Sequence, residues 1–299
     1  MKGKMTNWRQ QRTNSEIVFD WLNVLLMTTI CFITLYPIWY IIVNSLNEGA
    51  DAMLGGIFWW PRKYTLENYQ AVFQNSGITK AFSVTIARTV IGTVTNVLFT
   101  AMVAYPLSKN HLVGRKFYMT MGTITMFFSG GLIPQFLLYK NMGLLDSFWV
   151  YIIPSLFNFF NLLIFVNFFR EIPSALEESA SLDGATDWTI FARIILPLSK
   201  PVLATIALFS GVIHWNDYFA GVIFINNPDL QPIQTFLYRI VAESGSTQVM
   251  ATAGNINRTT TSMSIKLATM VVTTLPIVCV YPFLQKYFVK GMMIGAVKE

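Results

Sequence analysis

The chain has 299 residues, of which 54% are hydrophobic and 12% charged, with a mean hydropathy of +0.49 and a net charge of +6. A soluble domain of that length needs far more charge to cover its surface, so composition excludes one and makes the bilayer the solvent. Nor does the positive charge point to nucleic acid, because no polar segment carries a basic stripe interleaved with aromatics.

A hydrocarbon core of roughly 30 Å takes about 20 mostly apolar residues per helix. Windows of that kind run over residues 21–46, 81–107, 116–138, 150–169, 201–225 and 264–288. They are too long for barrel strands of about 10 alternating residues. The expected fold is therefore an all-α membrane protein with six transmembrane helices over residues 21–288, flanked by tails at 1–20 and 289–299. The first window exceeds the roughly 7 to 15 apolar residues of a signal segment and is expected to stay as a span. Lys and Arg concentrate on one side of this topology, at Lys2, Lys4, Arg9 and Arg12, at Lys109, Arg115 and Lys116, at Arg170, Arg193 and Lys200, and at Lys286, Lys290 and Lys298. Cytoplasmic flanks carry such an excess, which places the N and C termini in the cytoplasm.

Between the first two windows, Phe58, Trp59, Trp60, Pro61, Tyr64, Tyr69 and Phe73 suit a belt on the lipid surface or a docking face for a partner. Arg88 enters the second window. A charge there is costly, so it is expected to snorkel or to pair with Asp217, or else to line a translocation path and favour an acidic ligand. Further path candidates are Gln135 in the third window and the run His214, Trp215, Asn216, Asp217 and Tyr218 late in the fifth. Cys31 and Cys279 fall inside windows and are expected to pack as small apolar side chains. Beyond the fifth window, residues 226–262 suggest a short helix near Ile233 to Ile240, then a small polar loop; Asn257-Arg258-Thr259 matches a glycosylation triplet by chance.

The longest internal cytoplasmic loop of this topology is residues 170–200, whose sequence predicts two helices joined by a turn. Pro173 suits a first turn, and Ser174 with Glu177 is a capping-box pattern. Asp183-Gly184 ends the first helix. A second starts near Thr186, carries Trp188, Phe191 and Ile195 on one face, and ends before Leu196-Pro197. Such a hairpin, continuous with two spans, is a lever.

Within it, Glu178-Ser179-Ala180, three residues, Gly184, nine residues and Ile194-Ile195-Leu196-Pro197 resemble the EAA loop of ABC importer permeases, with Ser179 the one departure from Glu-Ala-Ala. Phe127-Phe128-Ser129-Gly130-Gly131-Leu132-Ile133-Pro134, Leu144-Leu145-Asp146, Trp215-Asn216 and Leu230-Gln231-Pro232-Ile233-Gln234 are similar to the carbohydrate type, the maltose G-like second permease in the lipoprotein-like and oligosaccharide branch. The resemblance covers residues 15–299. It implies the type I importer permease fold and a permease subunit of an ATP-driven, binding-protein-dependent oligosaccharide importer of a bacterial inner membrane. It implies as partners a second six-span permease forming a heterodimer, two cytoplasmic ATPase subunits and an extracytoplasmic sugar-binding protein. ATP and Mg would sit on the ATPase subunits, with no cofactor in this chain. Residues 170–200 would be the coupling element, docking through Leu176, Glu178, Ser179, Ala180, Leu182, Gly184 and Trp188. Aromatic and amide groups of the path candidates would stack on and bond to sugar rings.

No chemistry is expected of the chain itself. It has no Gly-rich phosphate loop, and His111 and His214 lie too far apart in sequence to suggest a metal site. The competing class is a secondary transporter driven by an ion gradient. That would call for inverted repeats and intramembrane carboxylates, whereas Asp217 is nearly the only acid inside a window.

Overall fold

The computed structural model describes residues 13–242 and 260–296, with side chains through residue 280 except that of Ser262. The glycosylation triplet, most of the polar loop after residue 242 and the outer parts of both tails lie outside the described residues. Among those described, the secondary structure is helical, with one isolated bridge between Asn47 and Tyr64. Asn14–Ser45, Ser76–Ser108 and Met263–Val280 are each long and apolar enough to cross a membrane. Three bent pairs pass the same test jointly: Arg115–Phe127 with Leu132–Asn141, Phe148–Ser155 with Phe159–Glu171, and Asp187–Leu198 with Lys200–Asn216.

The chain divides into two compact units, Met1–Tyr69 with Ile256–Val271 and Gln70–Asn255 with Val272–Glu299. In the first, helix α1 (Asn14–Ser45) exposes apolar side chains all round over most of its length, the pattern of a helix solvated by lipid or by another apolar surface. Its end is tied down by amides. Asn68 Nδ2 donates to the carbonyls of Ser45 at 2.9 Å and Asn47 at 2.8 Å, and the amide N–H of Lys63 donates to Asn47 Oδ1 at 2.8 Å. The aromatic run folds back onto α1: Trp39 donates its indole N–H to the Trp59 carbonyl at 3.0 Å, and Trp59 packs against Tyr36 at 5.3 Å. Cys31, on α1, is free and exposed. Cys279, on the last helix, is likewise free and exposed, so neither cysteine packs internally as expected.

The second unit is built around α2 (Ser76–Ser108). One of its faces carries Val97, Ala101, Ala104 and Tyr105, which form a core with Leu162, Phe165, Val166 and Phe169 of α5 (Phe159–Glu171), Ile190, Phe191 and Ile195 of α7 (Asp187–Leu198), and Val202 and Ile206 of α8 (Lys200–Asn216). The fully buried alanines let helices approach closely, which is how apolar helices associate where no hydrophobic force separates them from lipid. At the other end, Tyr139, Leu144, Val150, Tyr151, Ile152, Phe224 and Ile225 form a second cluster.

Several apolar windows are bent where continuous helices were expected. In the third, α3 (Arg115–Phe127) turns by 114° into α4 (Leu132–Asn141). The hinge is Phe128-Ser129-Gly130-Gly131, where Gly131 takes φ +85°, a conformation that costs glycine nothing. In the fifth, the helix stops at Asn216, Asp217 is extended, and a separate helix α9 (Phe219–Phe224) follows. The physical reason lies across the unit, in Arg88.

Candidate coupling hairpin and translocation path

In the hairpin of residues 170–200, α6 spans Ser174–Leu182. The capping box expected from Ser174 and Glu177 is not formed: Pro173 is the N-cap and makes no side-chain bond. The Glu177 carboxylate is drawn instead to the Lys109 ammonium, with the Tyr105 hydroxyl 3.5 Å away. At the other end, Gly184 with φ +81° closes a Schellman motif, in which the N–H of Ala185 reaches the Ala180 carbonyl at 2.9 Å and that of Gly184 reaches Ser181 at 3.0 Å. A Cβ at Gly184 would meet nothing within 4 Å, so the backbone angle alone asks for glycine there.

Thr186 caps α7, its side chain accepting from the Thr189 N–H. The helix does not end before Leu196-Pro197 as expected. It widens to a π-turn over Phe191–Ile195 and runs on to Leu198, because the wider turn accommodates the missing donor of Pro197. It then bends by 80° at Ser199 into α8.

The motif residues divide between exposed and packed positions. Leu176, Leu182 and Trp188 are 44%, 89% and 63% exposed, and Glu178, Ser179 and Gly184 are exposed with them. Ala180, expected on the same face, packs with Ala185 against the chain's own core.

Of the path candidates, Arg88, His214 and Asp217 come together and Gln135 stands apart. Arg88 is 1% exposed. Its Nε donates to the His214 carbonyl at 2.9 Å, and Nη2 donates to the Asp217 carbonyl at 2.9 Å and to Asp217 Oδ2 at 3.0 Å. Its guanidinium also lies over the Tyr151 ring, 4.7 Å from the centroid. The carbonyls at the end of α8, which have no partner within that helix, are thus capped by an arginine 126 residues away in sequence. This explains why the fifth window breaks where it does: Arg88 does not snorkel outward, and Asp217 turns back to meet it.

The imidazole of His214 is buried against Gly92, where any Cβ would collide with it, and its Nε2 lies 3.4 Å from Ser155 Oγ. One turn further along α2, Asn96 donates to the Ser155 carbonyl at 2.7 Å. Thr85, one turn before Arg88, accepts the Ile233 N–H at 2.8 Å. Thr85, Arg88, Gly92 and Asn96 therefore form a buried stripe on one helix face. Trp215 donates to the Thr273 carbonyl at 3.2 Å and borders an apolar pocket of about 190 Å³ with Thr89, Gly211, Pro276 and Val280. Asn216 is exposed and bonded to its own helix, and Tyr218 stacks on Tyr238 at 4.8 Å. Gln135, exposed on α4, donates to the Tyr139 hydroxyl at 2.6 Å.

Sequence reasoning missed Tyr151, and it gave Glu177 only a capping role and Lys109 only a place in the charge asymmetry. Nothing local marks Tyr151. Lys109 could have been found as the cation at the end of the second window, and Glu177 as the acid beside the motif glutamate, but their pairing has no sequence signature.

Bent apolar helices around a buried polar stripe, with an exposed hairpin continuous with them, define a helical membrane component. Residues 17–294 match the binding-protein-dependent transport system inner membrane component family, and the chain belongs to it. It is 43% identical over 288 residues to protein LplC of Bacillus subtilis, covering 96% of this chain and 97% of that one. It is 39% identical to the polygalacturonan/rhamnogalacturonan transport system permease protein YtcP of the same organism, covering 94% and 98%. Among solved structures, a chain of a bacterial ABC transporter involved in the import of the acidic polysaccharide alginate superposes with a TM-score of 0.87 at 32% identity, covering 93% of this chain and 99% of that one. The fold is accordingly that of a type I ABC importer permease.

Proposed function

We propose that this chain is one of two permease subunits of an ATP-driven importer of oligosaccharides rich in uronic acid. It crosses the membrane six times, each bent pair counting as one crossing, with both termini and residues 170–200 in the cytoplasm. A second six-span permease completes the pore, and a binding protein delivers the ligand. ATP and Mg act on two ATPase subunits docked at the hairpin.

The observation that carries this reading is the outward face of the hairpin. Leu176, Leu182 and Trp188 are exposed on a segment too short to span a bilayer, beside Glu178, Ser179 and Gly184 of the motif. Large apolar side chains left exposed within a polar setting mark a protein-binding surface. Ala180 acts as the close-packed spacer that seats α6 on the membrane body. Support for an acidic ligand comes from the permease for polygalacturonan and rhamnogalacturonan and from the alginate transporter. Arg88 is placed behind the path rather than at the ligand, since its Nε and Nη2 are engaged by Asp217 and two helix-end carbonyls. Gln135, Asn216 and Tyr218, which are exposed, are the better sugar contacts.

The test combines the cognate binding protein with the complex reconstituted in liposomes. Oligogalacturonates and alginate oligosaccharides should bind by calorimetry where neutral malto-oligosaccharides do not, and uptake should require ATP. Uptake driven by a sodium or proton gradient without ATP would transfer the chain to the gradient-driven class.

A further inference from the structure

The hairpin is joined covalently to α5 and α8, yet its first arm reaches out to neither of them with its one inward-turned charge. Glu177 projects from α6 onto Lys109, the C-cap of α2, and the two side chains are 16% and 22% exposed. The ammonium of Lys109 sits over the Tyr105 ring, 4.5 Å from its centroid. That ring in turn packs on Phe191 of α7 at 5.3 Å and Phe169 of α5 at 6.5 Å. Cations crowd the end of α2, where Arg115 Nε donates to the Leu107 carbonyl at 2.8 Å and Arg170 Nε to Ser108 at 3.4 Å. Both satisfy carbonyls at the negative end of the helix dipole, and Glu177 supplies the counter-charge. The end of α2 is thus gripped by both arms of the hairpin.

Twenty-one residues back along the same helix, about 30 Å at the usual rise, Arg88 holds the end carbonyls of α8 and Thr85 receives the N–H of Ile233. One continuous helix, with Pro106 in its last turn, therefore connects the hairpin to the broken end of the fifth window. We propose that the Glu177–Lys109 ion pair is a latch that delivers displacement of the hairpin to α2, so that α2 is a driven element of transport alongside the two helices continuous with the hairpin. Lys109 and Glu177 are positioning residues: they touch neither nucleotide nor ligand and act by keeping α6 and α2 moving as one body. The proposal rests on the reading of the hairpin as the ATPase-docking element.

The experiment uses the full complex in nanodiscs, with both permeases, both ATPase subunits and binding protein loaded with oligogalacturonate. It reads the ratio of ATP hydrolysis with and without loaded binding protein. Coupling free energies of this kind change a linked quantity by about 5- to 150-fold. Lys109→Met and Glu177→Gln should each lower the ratio at least about fivefold in the assembled complex, and Lys109→Arg, which keeps the cation at the helix end and over the Tyr105 ring, should retain it. A merely structural pair would lower yield or melting temperature and leave the ratio of the assembled fraction alone, and that result overturns the proposal. Should the neutral variants fail to assemble, the double variant Lys109→Cys with Glu177→Cys decides: a ratio retained when the two thiols are cross-linked and lost on reduction supports the latch, and a ratio indifferent to reduction refutes it. Failure of the underlying docking assignment is distinguishable, because it would appear in a complex with Lys109 and Glu177 intact as no cross-link to an ATPase subunit from a photoreactive phenylalanine analogue in place of Trp188.

Discussion

Arg88→Ala removes the cap of α8 without touching the exposed surface. The guanidinium is 1% exposed and serves two backbone carbonyls and one carboxylate. Each hydrogen bond from a charged donor is worth about 1.5 to 3 kcal/mol, so the buried His214 carbonyl and the partly buried Asp217 carbonyl would together lose at most about 3 to 6 kcal/mol if nothing replaced the donor. The Asp217 carboxylate is 32% exposed and water takes over much of its share, so that bond adds little. Measured losses on breaking buried pairs cluster at about 3 to 5 kcal/mol, and that is the expected destabilisation. Arg88→Lys should recover only part of it, since one ammonium cannot reproduce a planar fork spanning His214 and Asp217. Reversible unfolding in mixed micelles of dodecyl sulfate and a mild detergent gives the free energy, and uptake of neutral and uronic oligosaccharides gives the functional arm. The reasoning is refuted if Arg88→Ala unfolds like wild type and loses only uronic substrates, for the arginine would then be a ligand and not a cap.

Gly184→Ala forces a side chain into φ +81° and should cost about 1 to 2 kcal/mol, although the space around it is open. Gly184→Asn should cost less, and copurification with the ATPase should fall in the same order. Gly92→Val should prevent the seating of His214 and cost about 1 to 3 kcal/mol by overpacking, seen as a lower melting temperature. Outside the membrane helices, Asp146 accepts the backbone N–H of Asn227 and of Asn226, which holds its carboxylate below the ordinary value of 3.8. Because the folded-state value is depressed, the stabilisation is full above 3.8 and fades as pH falls through the lower folded value. Protection of the 226 and 227 amides from exchange should therefore drop at acid pH in the wild type, and Asp146→Asn should lower it already at neutral pH.

The six apolar windows and the hairpin were legible because both rest on local pattern: hydropathy sustained over a bilayer's width, and a glycine placed where a helix must turn. Gly184 illustrates this, since its role follows from its own φ angle. What stayed hidden depends on partners remote in sequence. Averaging over 20 residues smooths the hinge at Phe128–Gly131 into a continuous span. The end of α8 at Asn216 is fixed by Arg88, which no periodicity near residue 216 reveals. Glu177 fits a capping box on paper, yet its carboxylate gains more from an ammonium at the end of α2 than from one orphan N–H, and that choice is made only once α2 and α6 meet.

The account turns on what the outer face of the hairpin touches. A photoreactive phenylalanine analogue in place of Leu182, which is 89% exposed, can be irradiated in the assembled complex and its adduct identified by mass spectrometry. The account predicts a cross-link to an ATPase subunit, formed on the cytoplasmic side. Adducts only with lipid, or with the extracytoplasmic binding protein, would contradict it.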